Sequence, residues 1–367
     1  PTYSVCLPNL SPKRKPFVWY RFSLQPTLRA VATSVVSIRY LAGRAVNQLR
    51  CWGSYALSFL GMVRVRHLPT FVSVEPANFC QLRCPECPVG MGGGHPQHGR
   101  AELLRPEVWQ KLLREITPYA HAIQFYFQGE PLLNPDLPKM IHEAHEAGLY
   151  TIVSTNAQSI TPLMAERLVC CGLDRIIISL DGISQQSYNA YRVGGDIEKV
   201  REALRLLHDA KQRLGSRTPV IEWQCLRLRT NEHEWKEMQR MYRRWGADRL
   251  TLKTAQLYDY ADGNPLMPTN SRYSRYVIGK DGGYHIKQSL WRRLWSISAL
   301  CYRLWSGCVV TTSGEVLPCC YDKAHAYSFG NILTDSLVTL FHSSVANGFR
   351  RSVLQNKGID ICRNCNR

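Results

Sequence analysis

Three cysteines within eight residues, Cys80, Cys84 and Cys87, are the residues best spaced to do chemistry together. They stand in the run Glu75-Pro-Ala-Asn-Phe-Cys80-Gln-Leu-Arg-Cys84-Pro-Glu-Cys87-Pro, with gaps of three and two residues. Three thiolates on one loop can converge on a single cubane iron–sulfur cluster. A closed [4Fe–4S] site takes four thiolates, so three local ligands leave one iron open, much as a catalytic zinc keeps a position for substrate. An open iron can bind a substrate or cofactor directly. Zinc is the competing reading, although zinc motifs usually pair two Cys-x2-4-Cys knuckles.

A second set lies at the other end of the chain. Of fourteen cysteines in 367 residues, six fall in the last 67: Cys301, Cys308, Cys319, Cys320, Cys362 and Cys365. Disulfide frameworks belong mostly to short secreted chains, and nothing here reads as a secretory signal peptide. Thiolate ligands in a reducing cytoplasm fit better. Cys6, Cys51, Cys170, Cys171 and Cys225 lack ligand spacing and read as buried small hydrophobes.

The elements that must position these groups show in the hydrophobic pattern. From residue 70 the chain alternates short β-rich runs with amphipathic segments. Strands are expected at Phe71–Val74, Ala122–Phe127, Tyr150–Val153, Arg175–Leu180, Val220–Leu228 and Arg249–Lys253. Helices are expected at Pro106–Ile116, Leu137–Ala147, Thr161–Cys171, Ile197–Leu214 and Glu232–Trp245. Six strands alternating with helices predict an α/β fold with a parallel sheet. Six is fewer than a closed (β/α)8 barrel needs, so an open, partial (β/α)6 barrel is expected over residues 67–254. Residues 255–300, ending in the Trp-rich Trp291–Trp295, read as a connector. Residues 301–367 read as a small Cys-rich β-hairpin/helix domain, with Val309–Thr312 and Glu315–Leu317 flanking a Ser313-Gly314 turn.

Charge is uneven. The formal net charge is +18, and residues 1–66 hold ten Lys/Arg and no Asp or Glu. Val31, Val35, Ile38, Ala42, Ala45 and Leu49 mark one face of a helix, expected to pack on the core. This basic extension permits peripheral membrane contact, and its composition also resembles a transit peptide. Cys51–Val63, its longest uncharged stretch, is too short to span a bilayer. A solvated basic face is the plainer reading, and nucleic acid is disfavoured as a partner.

With those motifs in place, the chain resembles the radical S-adenosylmethionine (SAM) superfamily, whose signature is Cys-x3-Cys-x2-Cys after the first strand of a partial (β/α)6 barrel. The resemblance assigns Cys80, Cys84 and Cys87 to a [4Fe–4S] cluster whose open iron binds SAM and splits it to a 5′-deoxyadenosyl radical. Later strand ends carry matching motifs. Gln128-Gly129-Glu130-Pro131 is similar to the family's Gly-Gly-Glu-Pro, with Glu130 suited to the SAM amino group. Ser154 and Asn156 are expected near the ribose, Ser179 and Asp181 along the SAM pocket, and Arg192 at the SAM carboxylate. One departure is Glu86, where the family often has an aromatic residue.

The C-terminal cysteines resemble the SPASM/twitch extension, nearer its shorter form with one auxiliary cluster. That resemblance implies Cys301, Cys319, Cys362 and Cys365 as ligands of one closed [4Fe–4S] cluster, with Cys308 and Cys320 as alternates. A fully ligated cluster suits electron transfer, so hydrogen abstraction followed by net oxidation is expected. The substrate is expected to be a peptide or protein side chain or a small metabolite, with flavodoxin or ferredoxin as reductant. A proton must also leave, and Asp322, two residues after Cys320, is the candidate base. The competing readings are a zinc-stabilised binding protein without catalysis and an RNA-modifying enzyme of the same family.

Overall fold

The computed structural model describes residues 35–92, 101–287, 301–355 and 358–365. Val31, Trp291–Trp295 and the side chains of residues 35–39 lie outside the described residues. In chain order the strands are β1 (Phe71–Val74), β2 (Ala122–Phe125), β3 (Tyr150–Thr155), β4 (Arg175–Ser179), β5 (Val220–Arg227), β6 (Arg249–Thr254), β7 (Tyr276–Ile278), β8 (Tyr284–Ile286), β9 (Gly307–Val310) and β10 (Val316–Leu317). The helices are α1 (Val35–Ser58), α2 (Pro106–Ile116), α3 (Leu137–Glu146), α4 (Pro162–Cys170), α5 (Gln185–Asn189), α6 (Ile197–Arg213), α7 (Trp235–Met241), α8 (Arg303–Ser306), α9 (Leu337–His342), α10 (Ser344–Leu354) and α11 (Asp360–Arg363).

Strands β1 to β6 pair in sequence order, every pair parallel. Covered on both faces, β1 to β4 are mostly buried and read as largely apolar runs; β4 is Arg-Ile-Ile-Ile-Ser with its last four residues buried. Local chemistry sets the helix starts. Pro106 opens α2 at a position whose N–H would go unpaired anyway. The Thr161 and Asp196 side chains accept backbone N–H groups at the starts of α4 and α6. On α2, Val108, Trp109, Leu112 and Ile116 form the buried stripe.

The C-terminal hairpin does not make a sheet of its own. β9 pairs parallel with β1, from Phe71↔Gly307 to Val74↔Val310, and β10 pairs antiparallel with β9. One eight-stranded sheet results, ordered β10-β9-β1-β2-β3-β4-β5-β6 and open at β10 and β6. The reason is physical: β9 is Gly-Cys-Val-Val, wholly buried, and it covers what would otherwise be an unpaired edge of β1. Gly307 is required there, since a Cβ would fall 2.4 Å from the Phe71 ring. The connector contributes the β7–β8 hairpin, which its mixed Gly, Pro and Tyr composition does not announce.

Helix α1 packs on the core, but by the opposite face from the one its apolar spacing suggests. Arg44, Asn47, Cys51, Ser54 and Ser58 are buried, whereas Ala42, Ala45 and Leu49 are exposed. Arg44 donates to the carbonyls of Thr117 (2.7 Å from Nη2), Ala147 (2.7 Å) and Gly148 (2.6 Å). Asn47 exchanges hydrogen bonds with the Leu68 backbone at 2.8 and 3.0 Å. The Ser54 hydroxyl meets His67 Nδ1 at 3.0 Å. The bottom of the barrel offers unpaired carbonyls at the strand entrances, and polar side chains satisfy them better than Leu or Val could.

Candidate active site

The cysteine loop leaves the C-terminal end of β1 and folds back over the ends of β2, β3 and β4, the face where barrel sites gather. Two glycines permit this. A Cβ on Gly129 would lie 2.1 Å from the Ala77 carbonyl oxygen and 2.7 Å from Phe79 N. One on Gly90 would lie 2.5 Å from Cys84 N. Gly129 is therefore fixed by the passage of the cysteine loop across it, and the Glu130 N–H donates to Phe79 O at 2.9 Å.

Glu130 is buried and its carboxylate is occupied. It accepts from Leu132 N (3.1 Å), Thr155 Oγ1 (2.6 Å) and Asn156 N (2.8 Å). Burial pushes its pKa up against those three donors. The carboxylate thus ties β2 to β3 and sets Asn156, whose Nδ2 donates to Cys80 Sγ at 3.4 Å. Leu82 N donates to the same sulfur at 3.4 Å. Burial, then the nearby Glu130, Cys84 and Cys87, outweighs that backbone donor and pushes the Cys80 thiol up to about 11. Ser154, on β3, is half-buried, and Ser179, at the end of β4, is buried.

Asp181 and Arg192 act as a pair. Asp181 is fully buried, accepts from Leu226 N at 2.6 Å, and receives Arg192 Nε at 2.6 Å. Arg192 Nη1 then reaches Cys84 Sγ at 3.9 Å. The guanidinium is held by a carboxylate on one side and faces a thiol on the other. Gln128 sits apart from this group: its Nε2 donates to Lys323 O at 2.9 Å and its N–H to Glu75 at 3.2 Å. Glu86 accepts from Tyr258 N (2.7 Å) and Asn264 Nδ2 (3.0 Å), so it binds the connector to the cysteine loop.

At the second set, Cys319 lies within electrostatic reach of Cys301, Cys320 and Cys362, and burial pushes its thiol up. Cys365 closes a turn on Cys362, its N–H 3.2 Å from the Cys362 carbonyl. Between them Asn364 donates to Leu257 O at 2.6 Å and lies 2.9 Å from the Tyr276 hydroxyl, which locks the turn to the connector. Of the alternates, Cys320 stands with this group and accepts from Arg303 Nη1 at 2.8 Å. Cys308 lies in the main core on β9, beside Val72 and near Arg350, where burial pushes its thiol up to about 12.

Both sets fit iron–sulfur clusters by donor chemistry: three thiols on one loop with two N–H donors aimed at one sulfur, and four or five thiols gathered from three segments. Among the described residues no three His, Cys, Asp or Glu side chains are gathered as a single bound ion requires. The thiolates of a cubane stand on different irons of a larger body.

Asp322 does not face this region. It is fully buried, and its two oxygens accept from Ala326 N (2.8 Å) and Tyr327 N (2.9 Å), closing a turn. The next residue does. Lys323 Nζ lies 3.3 Å from Phe127 O and 4.2 Å from the Phe127 ring centre. Burial lowers its pKa, while Cys320, Cys87, Glu75 and Cys319 all act to raise it, so its charge is felt by both cysteine sets. Sequence reasoning passed over Lys323 and Glu75; the available signal was a lysine in a cluster loop otherwise short of cations.

Two family models match: the radical SAM superfamily over residues 74–222, and the SPASM iron–sulfur cluster-binding domain over residues 301–366. The chain thus carries a radical SAM domain over residues 74–222 and a SPASM domain over residues 301–366. Its cofactors are S-adenosylmethionine, a SAM-binding [4Fe–4S] cluster and auxiliary iron–sulfur. It is 34% identical over 130 residues to the PqqA peptide cyclase of Ruegeria pomeroyi, covering 35% of this chain and only 32% of that protein. With the PqqA peptide cyclase of Rhizobium meliloti it shares 26% identity over 319 residues, 82% of this chain and 80% of the relative. The crystal structure of Streptococcus suis SuiB bound to precursor peptide SuiA superposes with a TM-score of 0.56 at 13% identity, covering 86% of this chain and 70% of SuiB. That last likeness speaks to the fold. Among the described residues no helix is long and apolar enough to cross a membrane.

Proposed function

We propose that this enzyme modifies a peptide or protein side chain by hydrogen abstraction and net two-electron oxidation, in the space between its two cysteine sets. The observation that carries this reading is Lys323, a half-buried amine within electrostatic reach of Cys87 on one side and of Cys319 and Cys320 on the other. A peptide, rather than a small metabolite, is supported by the PqqA peptide cyclases among the relatives. Cys80, Cys84 and Cys87 would hold the SAM-site cluster, which when bound and reduced would supply the electron for cleavage of SAM.

The chain's own residues do the rest. Asn156, set by Glu130, and the Leu82 N–H orient the Cys80 sulfur, and Arg192, set by Asp181, offsets negative charge at Cys84. Arg192 also carries the cation suited to the SAM carboxylate; Ser154 and Ser179 flank the same strand ends. Cys301, Cys319, Cys362 and Cys365 hold one auxiliary cluster, with Arg303 and Cys320 beside it. With both clusters bound, the cofactors would supply hydrogen abstraction and take up one electron, and the Lys323 amine is the chain's own base for the accompanying proton. Burial, by lowering that amine's pKa, favours the neutral form that can accept it. Flavodoxin or ferredoxin fits as the reductant.

The test is iron and sulfide content after anaerobic reconstitution, alongside the triple variant Cys80→Ala, Cys84→Ala, Cys87→Ala. About eight irons per chain in the parent and about four in the variant match two [4Fe–4S] sites. Peptide-dependent 5′-deoxyadenosine formation, lost in the variant and slowed about 100-fold in Lys323→Met with SAM binding intact, completes the case. Stoichiometric zinc without iron would sink it.

A further inference from the structure

Helix α1 is amphipathic in the wrong sense for a helix lying on a protein. Its inner face is Arg44, Asn47, Cys51, Ser54 and Ser58, all buried. Its outer face carries Val46, Leu49 and Trp52, and the chain beyond it adds Phe59 and Leu60; Leu49 is 62%, Trp52 47% and Leu60 73% exposed. A solvated helix normally turns its polar face outward. A run of large apolar side chains on the outside, rather than scattered singly, marks a contact surface. Arg50, Arg64 and Arg66 are exposed around it, and the 66 residues that contain it hold ten Lys/Arg without one acid.

We propose that α1 seats the enzyme on an anionic lipid bilayer, Leu49, Trp52 and Leu60 entering the headgroup–acyl boundary and the surrounding arginines meeting lipid phosphates. Apolar side chains combined with a one-signed basic surround fit that surface. A nucleic acid would use the charge and leave the Leu and Trp unexplained. The placement is consistent with catalysis. Arg44 and Asn47 bond backbone at Thr117, Ala147, Gly148 and Leu68, which precede β2, β3 and β1, so α1 lies at the strand entrances. Cys80 and Asn156 lie at the strand exits, and a bilayer on α1 leaves that mouth open to solvent and substrate.

The experiment is co-sedimentation of the reconstituted full chain with vesicles of phosphatidylcholine alone and of phosphatidylcholine containing about one-third phosphatidylglycerol. The expected result is binding to the anionic vesicles, weakened by salt, with little on the neutral ones. The double variant Leu49→Glu, Leu60→Glu is expected to bind about tenfold or more weakly, with iron content and thermal midpoint unchanged. Failure of the parent to sediment with the anionic vesicles would overturn the proposal. So would a double variant whose midpoint falls by several degrees, because the face is then covered by the chain's own residues 1–34. A parent that is dimeric where the double variant is monomeric would assign the face to a second copy, and would overturn it equally.

Discussion

Replacing Gly129 with Ala tests whether the Gly-Glu-Pro turn is a seat for the cysteine loop or only a neighbour of SAM. The added methyl would stand 2.1 Å from Ala77 O, 2.7 Å from Phe79 N and 2.8 Å from Ala77 C, all backbone atoms with no rotamer to yield. Ordinary contact needs the loop to move by about 1 Å in a close-packed interior, and overpacking of this kind costs about 1–3 kcal/mol. Cys80 follows Phe79 directly, so the displacement passes to the first ligand. A misplacement of about 1 Å in a reacting group can cost about 100-fold in rate.

After anaerobic reconstitution, Gly129→Ala is expected to lose the SAM-site cluster and keep the auxiliary one, about half the parent's iron. SAM cleavage should fall by about 100-fold. The control is Gly348→Ala in α10, where a Cβ meets nothing within 4 Å; there iron is retained and the helix gains up to about 1 kcal/mol. A Gly129→Ala protein with full iron and SAM cleavage within about twofold of the parent would refute the account.

Arg44→Met should lower stability by about 2–4 kcal/mol in urea denaturation, since it strands the carbonyls of Thr117, Ala147 and Gly148. Burial lowers the Arg44 pKa only to about 10, so the cation is present at neutral pH and its loss is felt there. Arg192→Lys, which keeps the charge but loses the fork between Asp181 and Cys84, should weaken SAM binding about tenfold by calorimetry. It should also diminish the change that SAM causes in the electron paramagnetic resonance spectrum of the reduced cluster. Glu75 is the pH-sensitive group: burial raises its pKa from 4.5 to about 7, against donors from Gln128 and Thr312. A carboxyl raised in the folded state binds more protons there than when unfolded, so its contribution is lost as pH rises from 4.5 to about 7. A tenfold change in proton affinity is worth about 1.4 kcal/mol, so the whole loss across that window amounts to about 3 kcal/mol. Glu75→Gln should flatten that part of the stability–pH curve measured by urea denaturation.

The sheet was legible because β1 to β4 are mostly buried on both faces and therefore read as largely apolar runs between helix starts, while β6 shows the alternation of a half-covered edge strand. All six core strands begin where the sequence places them, and α2 runs from Pro106 to Ile116 as expected. The Cys-x3-Cys-x2-Cys loop was legible because ligand spacing is local. Contacts made across distance were not. Nothing in the spacing of Glu130 says that Leu132, Thr155 and Asn156 occupy its carboxylate, because two of those partners lie on another strand or just past its end. Asp322 was singled out by its nearness in sequence to Cys319 and Cys320, but a tight turn aims it at Ala326 and Tyr327. Helix α1 misled for a different reason. An apolar stripe names the face that avoids water only when water is the alternative, and here the inner surface was a set of unpaired carbonyls that called for arginine and asparagine.

The basic groups around the two cysteine sets follow the same logic. Thiolates held at a buried site need opposite charge nearby, and a flexible surface lysine would be a poor supplier because ordering it costs side-chain entropy. Here two guanidiniums supply it, with the Lys323 amine, whose neutral form burial favours, beside them, and all three are fixed by the fold. Arg192 is clamped by the fully buried Asp181. Arg303 sits on the short helix α8, which feeds β9 into the edge of the core sheet, and its Nη1 meets Cys320. Lys323 is pinned by the Phe127 carbonyl and ring just past the end of β2, with its own carbonyl held by Gln128. Two of the three therefore depend on the C-terminal segment being built onto the barrel. If β9 did not extend the sheet beside β1, Lys323 and Arg303 would have no fixed relation to Cys87. The shared sheet is thus what fixes the second cysteine set relative to the first.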